Sequence, residues 1–111
     1  MMIAFSKNKD VKVVGVELSP LFYMFSLINI ALNRRKNVSL LYGNFFNIDL
    51  SQATVVYCFL IPKTLEKLKT KFLKELKPGT QVVSFAFPIN WLKAHDVISG
   101  NAIPKVFFYK I

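Results

Sequence analysis

Apolar residues along this chain come in short β-branched runs separated by stretches with helical spacing. Val13, Val14 and Val16 make a nearly continuous run, so residues 11–16 are predicted as a strand buried on both faces, as in parallel sheets. The run gives way to Glu17-Leu18-Ser19-Pro20, where Ser19 suits a helix N-cap and Pro20 the first helical position. A helix is predicted from there to Arg35. Its apolar stretch, residues 21–32, is broken by Ser26 and Asn29 and falls short of the roughly 20 residues that span a bilayer, so it reads as a buried core helix. Residues 38–42 form the next strand, closed by Gly43-Asn44, and 45–50 a loop or single turn. Residues 53–60 are another buried strand, rich in strand formers. Pro62 opens a helix to Leu76, whose stripe of Leu65, Leu68, Phe72 and Leu76 recurs at steps of three, four and four. Pro78-Gly79 stops it. Residues 81–87 are a fourth strand. Two late strands, 93–98 and 105–111, turn through Ser99-Gly100-Asn101 as a hairpin. Before all of these, residues 2–9 read as the end of a helix.

Buried strands alternating with helices imply one α/β domain over residues 1–111, its mostly parallel sheet covered on both faces and closed by an antiparallel hairpin. Composition narrows the possibilities. With 53% hydrophobic and 19% charged residues, the chain has a real core and is not disordered. The formal net charge of +9 suits an acidic partner such as nucleic acid, an anionic membrane surface or an acidic protein, but with no tight basic block the better reading is lysines that solvate helix faces. A lone Cys58 excludes an internal disulfide, and with a single histidine, His95, there is no metal-ligating cluster. No signal peptide is visible, which points to a cytoplasmic protein, with a peripheral membrane seat compatible with the charge.

In an open parallel sheet, ligands bind beyond the carboxyl ends of the strands. Those ends carry Glu17, then Gly43-Asn44-Phe45, then Leu60-Ile61-Pro62, then Phe87-Pro88 with Asn90 and Trp91. A carboxylate at an early strand end accepts hydrogen bonds from two ribose hydroxyls, so Glu17 is the foremost ligand candidate, against a plain surface charge. Asn44 offers an amide to a purine edge and Phe45 a ring face, against a turn residue and a core aromatic. Tyr57, Phe59, Phe87 and Trp91 suit an aromatic wall around a cationic centre, or simply the core. Neither a Ser/His/Asp set nor paired carboxylates are evident, which argues against hydrolase chemistry.

Three segments resemble motifs of class I S-adenosylmethionine-dependent methyltransferases: Val13-Val14-Gly15-Val16-Glu17-Leu18-Ser19-Pro20, Tyr42-Gly43-Asn44-Phe45-Phe46, and Leu73-Lys74-Glu75-Leu76-Lys77-Pro78-Gly79. Leu60-Ile61-Pro62, and Phe87-Pro88 followed by Trp91, are closer to the family of the ATP synthase c-subunit lysine methyltransferase and its prokaryotic relatives. The resemblance implies a Rossmann-like sheet and S-adenosylmethionine as cofactor. Glu17 would hold the ribose, with Leu18, Asn44 and Phe45 about the adenine. Leu60, Ile61, Pro62, Phe87, Pro88 and Trp91 would shape the acceptor side. The acceptor it implies is a protein lysine amine.

Two departures stand out. Asn44 replaces the usual aspartate, and the family's first strand with its glycine-rich loop has no counterpart, so the domain reads as N-terminally truncated. That strand sits mid-sheet in the family. Without it, strands 11–16 and 53–60 would pair directly, leave a gap or recruit another chain. Competing readings are a non-catalytic remnant acting as a basic interaction module, an RNA methyltransferase, and a nicotinamide-dependent oxidoreductase. The last suits Glu17 but not the Leu-Lys-Pro-Gly turn or the closing hairpin.

Overall fold

The computed structural model describes residues 1–7, 10–17, 20–32, 38–101 and 104–111; for 4–7, 10, 11 and 17 it describes the backbone alone. Its elements are β1 (Met2–Lys7), β2 (Asp10–Glu17), α1 (Pro20–Leu32), β3 (Val38–Tyr42), a 3-10 turn (Phe45–Asn47), β4 (Val55–Cys58), α2 (Pro62–Lys67), α3 (Lys69–Glu75), β5 (Gln81–Phe85), β6 (Asp96–Ile98) and β7 (Val106–Lys110). One seven-stranded sheet runs in the order β3-β2-β1-β4-β5-β7-β6.

Strand direction sets where a ligand can bind. β2 and β3 are parallel, as are β4 and β5, and β1 lies antiparallel to both β2 and β4. All four parallel strands therefore point their carboxyl ends at one edge. β7 is antiparallel to β5 and to β6, which confirms the closing hairpin, with Val97 opposite Phe107.

The first element is a correction. Residues 2–7 are a strand rather than a helix end, and they occupy the mid-sheet seat between β2 and β4. The seat decides the conformation. β2 and β4 each present a row of backbone donors and acceptors, and a strand between them satisfies both rows. Met2 pairs with Gly15 on one side and Tyr57 on the other, and Ile3 is fully buried there. The gap is thus closed by the chain itself, and no second chain is needed to fill it.

Residues 62–76 fold as expected but not as one helix. At Leu68 (φ −78°, ψ −12°) the chain tightens, and its N–H is shared among carbonyls three and four residues back. Leu65, Leu68, Phe72 and Leu76 are all buried. They pack on the face of the sheet that carries Ile3, Val56, Cys58, Val82 and Tyr109. At Gly79, φ is 94°, a left-handed conformation that favours glycine, and its N–H donates to the Ile111 carbonyl at 2.8 Å. The predicted turn thus also ties down the end of the chain.

The helix α1 departs from expectation in its surroundings. It forms as predicted, yet no residue in it is buried, whereas the apolar pattern reads as a core helix. Leu21, Phe22, Phe25 and Leu32 are 59–78% exposed. Periodicity identifies a helix but not the layer that covers it, and among the described residues no further helix lies over α1. No helix of the described residues is long and apolar enough to cross a membrane.

Candidate functional site

The edge at the carboxyl ends of β2, β3, β4 and β5 gathers the strand-end candidates in spatial order. Asn44 and Phe45 follow β3, Glu17 ends β2, Leu60 to Pro62 follow β4, and Phe87 to Trp91 follow β5. Between the two halves stands the start of β1, because that strand runs the other way. Met1 closes the middle of the rim, its carbonyl accepting the Val16 N–H at 3.0 Å. Sequence reasoning missed Met1 here, since residues 2–9 read as helix.

Glu17 pairs with Tyr42 through β2 and β3, which sets its backbone at the rim; its side chain, and the whole of Leu18, lie outside the described residues. Asn44 caps the 3-10 turn: its Oδ1 accepts the Phe46 N–H at 2.9 Å, which leaves the amide NH2 as the group turned to other work. The cap is thus made by Asn44 at a position where an aspartate was expected. Either side chain offers the capping oxygen, and only Asn adds a donor. Phe45 is half-buried, stacked on Phe46 with ring centroids 4.8 Å apart.

On the other side of Met1, Ile61 is 58% exposed and sits at the N-cap of α2, with Pro62 opening the helix. Leu60 leans on the core. Phe59 is 61% exposed and meets Phe85 edge-on at 5.2 Å. Beyond β5 the backbone turns sharply. Ala86 has φ 74°, a conformation costly for a residue with a Cβ, and its N–H donates to the Lys105 carbonyl at 2.7 Å. Ser84 Oγ donates to the Phe87 carbonyl at 2.5 Å. The two contacts fix the backbone of residues 86–87 just past β5, a device invisible in a run of ordinary strand residues.

Trp91 is engaged elsewhere. Its Nε1 donates to the Leu65 carbonyl at 3.0 Å, and its ring meets Phe72 edge-on at 6.0 Å, so it fastens the 86–92 loop to the helix pair. His95 lies outside the rim, exposed, its ring tilted on Phe108.

A single-sheet α/β domain with its strand ends loaded in this way is a Rossmann-like, methyltransferase-type fold, and the comparisons place it more narrowly. Residues 1–96 match the family described as the ANTKMT methyltransferase domain, and the chain belongs to that family. It is 41% identical over 116 residues to a protein named "Protein-lysine N-methyltransferase" from Saccharolobus islandicus (strain REY15A), covering all of this chain and 72% of that one. An RNA methyltransferase from Salinibacter ruber, solved with S-adenosyl-L-homocysteine, superposes with a TM-score of 0.82 at 28% identity. The match covers 88% of this chain and 64% of that one, so the present chain spans just under two-thirds of that enzyme.

S-adenosylmethionine is the cofactor the family implies. Of the residues expected about its nucleoside half, Asn44 keeps its amide NH2 outside the cap, Phe45 lies against Phe46 and the core, and a Cβ at Gly43 would meet no atom within 4 Å. At the centre of the rim stands the start of β1.

Proposed function

We propose that this chain serves methyl transfer from S-adenosylmethionine to the side-chain amine of a protein lysine. The observation that carries the reading is the 41% identity, over the whole chain, to a relative bearing that activity in its name. The bound cofactor supplies an electrophilic methyl group on a sulfonium, open to in-line attack by a neutral amine. The work left to the protein is proximity and orientation. Glu17 would accept hydrogen bonds from the ribose hydroxyls, Asn44 would donate to the adenine edge through its amide, and Leu18 and Phe45 would flank the ring. Leu60, Ile61, Pro62, Phe87 and Pro88 would form the acceptor side. Apolar groups there disfavour an ammonium and so favour the reactive neutral amine. Trp91 would act as a positioning residue, through its hold on the Phe87-Pro88 loop.

The test combines calorimetry with transfer of labelled methyl from the cofactor to a lysine-rich acceptor protein. Binding and labelling are expected for the native chain, with binding weakened at least about tenfold in Glu17→Ala. A folded chain that binds no cofactor overturns the reading and favours the non-catalytic alternative. RNA as acceptor is favoured by the net charge of +9 and by the name of the Salinibacter enzyme. RNA binding that weakens steeply with salt, together with labelled RNA and unlabelled protein, would decide for it. A cytoplasmic setting is part of the same proposal.

A further inference from the structure

The lysines of residues 62–76 are scattered in the sequence and gathered in the fold. This segment carries five lysines and two glutamates. Leu65, Leu68, Phe72 and Leu76 are all buried, so the helical period runs through the tightened turn at Leu68, and one side of α2 and α3 faces the core. On the opposite side, at steps of four, four and three, stand Lys63, Lys67, Lys71 and Lys74. Lys63, Lys67 and Lys74 are exposed and Lys71 is half-buried. The four make one outward row, roughly 16 Å long at about 1.5 Å per residue.

Most of the charge in this row is uncompensated. Lys71 Nζ holds the Glu75 carboxylate at 2.6 Å, and the other oxygen of Glu75 accepts the Leu50 N–H at 3.4 Å. Lys63, Lys67 and Lys74 make no ion pair among the described residues. Lys67, Lys71 and Lys74 line an open hollow of about 420 Å³ together with Thr70 and Glu75, and Phe46 is its apolar wall. Glu66 is exposed but lies outside it. The hollow therefore offers two free ammonium groups beside one neutralised pair, a setting for carboxylates or phosphates.

The row also has a direction. α2 opens at Pro62, immediately after Leu60 and Ile61 of the proposed acceptor side, so Lys63 stands beside the rim, and Lys67 and Lys74 follow away from it. An extended polypeptide spans about 3.3–3.6 Å per residue. A chain with its lysine at the rim would bring residues roughly two to six positions away onto the row. Nucleic acid suits the same charge less well. Single strands are held on a succession of aromatic faces, and the hollow has one ring, already stacked on Phe45. Nor does an arginine, the side chain that grips phosphate at two points, stand anywhere in residues 38–111. We propose that the row of Lys63, Lys67 and Lys74 docks an acidic segment of the protein substrate, with carboxylates flanking the lysine that is methylated. The proposal rests on the protein-lysine reading above.

Fluorescence anisotropy of the whole chain with labelled peptides, in the absence of methyl donor, is the test. The probe is a synthetic peptide with one lysine followed by glutamates, and its counterpart has glutamine at every glutamate. The glutamate peptide is expected to bind at least about tenfold more tightly, and to weaken steeply as salt rises. Lys67→Gln/Lys74→Gln should reduce its binding at least about tenfold while the far-ultraviolet circular dichroism is unchanged. Lys93→Gln/Lys110→Gln removes the same charge from exposed positions outside the row and should leave most of the binding intact. Equal losses in the two variants overturn the proposal, because net charge alone would then hold the peptide. So do equal binding of the two peptides, or a row that takes single-stranded RNA more tightly than the glutamate peptide. With methyl donor added, the lysine of the glutamate peptide should be labelled at a lower KM than that of its counterpart, and Lys67→Gln/Lys74→Gln should abolish the difference. Labelling of both peptides at one KM overturns the docking role. The anisotropy needs no cofactor, so its failure is distinct from a failure to bind S-adenosylmethionine, which calorimetry reads separately.

Discussion

Cys58 has no exposed surface, and burial pushes its thiol up to about 12 from an ordinary 9.0. Between those values the folded chain keeps a proton that the unfolded chain has released. The contribution to stability is therefore complete below the unfolded value and is lost as pH rises through the window. Tyr109 moves the same way, its phenol raised by burial against the opposing effect of the hydrogen bond from the Ile89 N–H. Urea titrations at pH about 8 and about 10 should show a clear loss of stability at the higher pH, and Cys58→Ala should shrink that loss without abolishing it. The native thiol should react with a disulfide reagent only as fast as the chain opens. The phenol of Tyr109 accepts the Ile89 N–H at 2.7 Å in the interior. Tyr109→Phe removes the acceptor and leaves that N–H buried, so a destabilisation of about 1–3 kcal/mol is expected by denaturant titration. A value near zero would mean that water reaches Ile89.

At the scale of elements, β1 is the piece on which the two halves of the sheet depend. Ile3→Ala opens a cavity between β2 and β4, and should cost about 2–5 kcal/mol, measured by thermal or chemical unfolding. A cost below about 1 kcal/mol would mean that residues 2–7 do not hold the central seat. This element was also the one the sequence misrepresented. Six residues have too little pattern to separate a helix end from a strand, and the choice was made by the vacant backbone rows on either side. Residues 62–76 were legible because the Leu65-Leu68-Phe72-Leu76 stripe and the flanking Pro62 and Pro78-Gly79 all point one way. For α1 the periodicity was right and the burial wrong. An apolar run says that a helix seeks cover, and only the assembled sheet shows that no residue of α1 is buried by the described residues. The site divides similarly. Strand direction placed Asn44, Phe45, Leu60, Ile61, Pro62, Phe87 and Pro88 along one rim. The capping bond of Asn44, the grip of Trp91 on Leu65 and the left-handed Ala86 depend on neighbours distant in sequence or on the backbone path.

For the molecule as a whole, cohesion is asymmetric. β4, β5 and β7 press Val56, Val82 and Tyr109 onto Leu65, Leu68 and Phe72, while α1 has nothing buried. Opening of a native protein follows such differences, since a segment that buries little can detach without the rest. Hydrogen exchange on dilute protein should therefore show two tiers. Amides of β5, and of β4 where it pairs with β5, should exchange only by global unfolding. Those of α1 should exchange through a smaller opening, at least about tenfold faster. A methyl donor bound at the rim should slow residues 43–47 and 86–91, because the strand ends and not α1 would contact it. If α1 is as protected as β5, that helix is covered in solution, and the difference in cohesion drawn here is wrong.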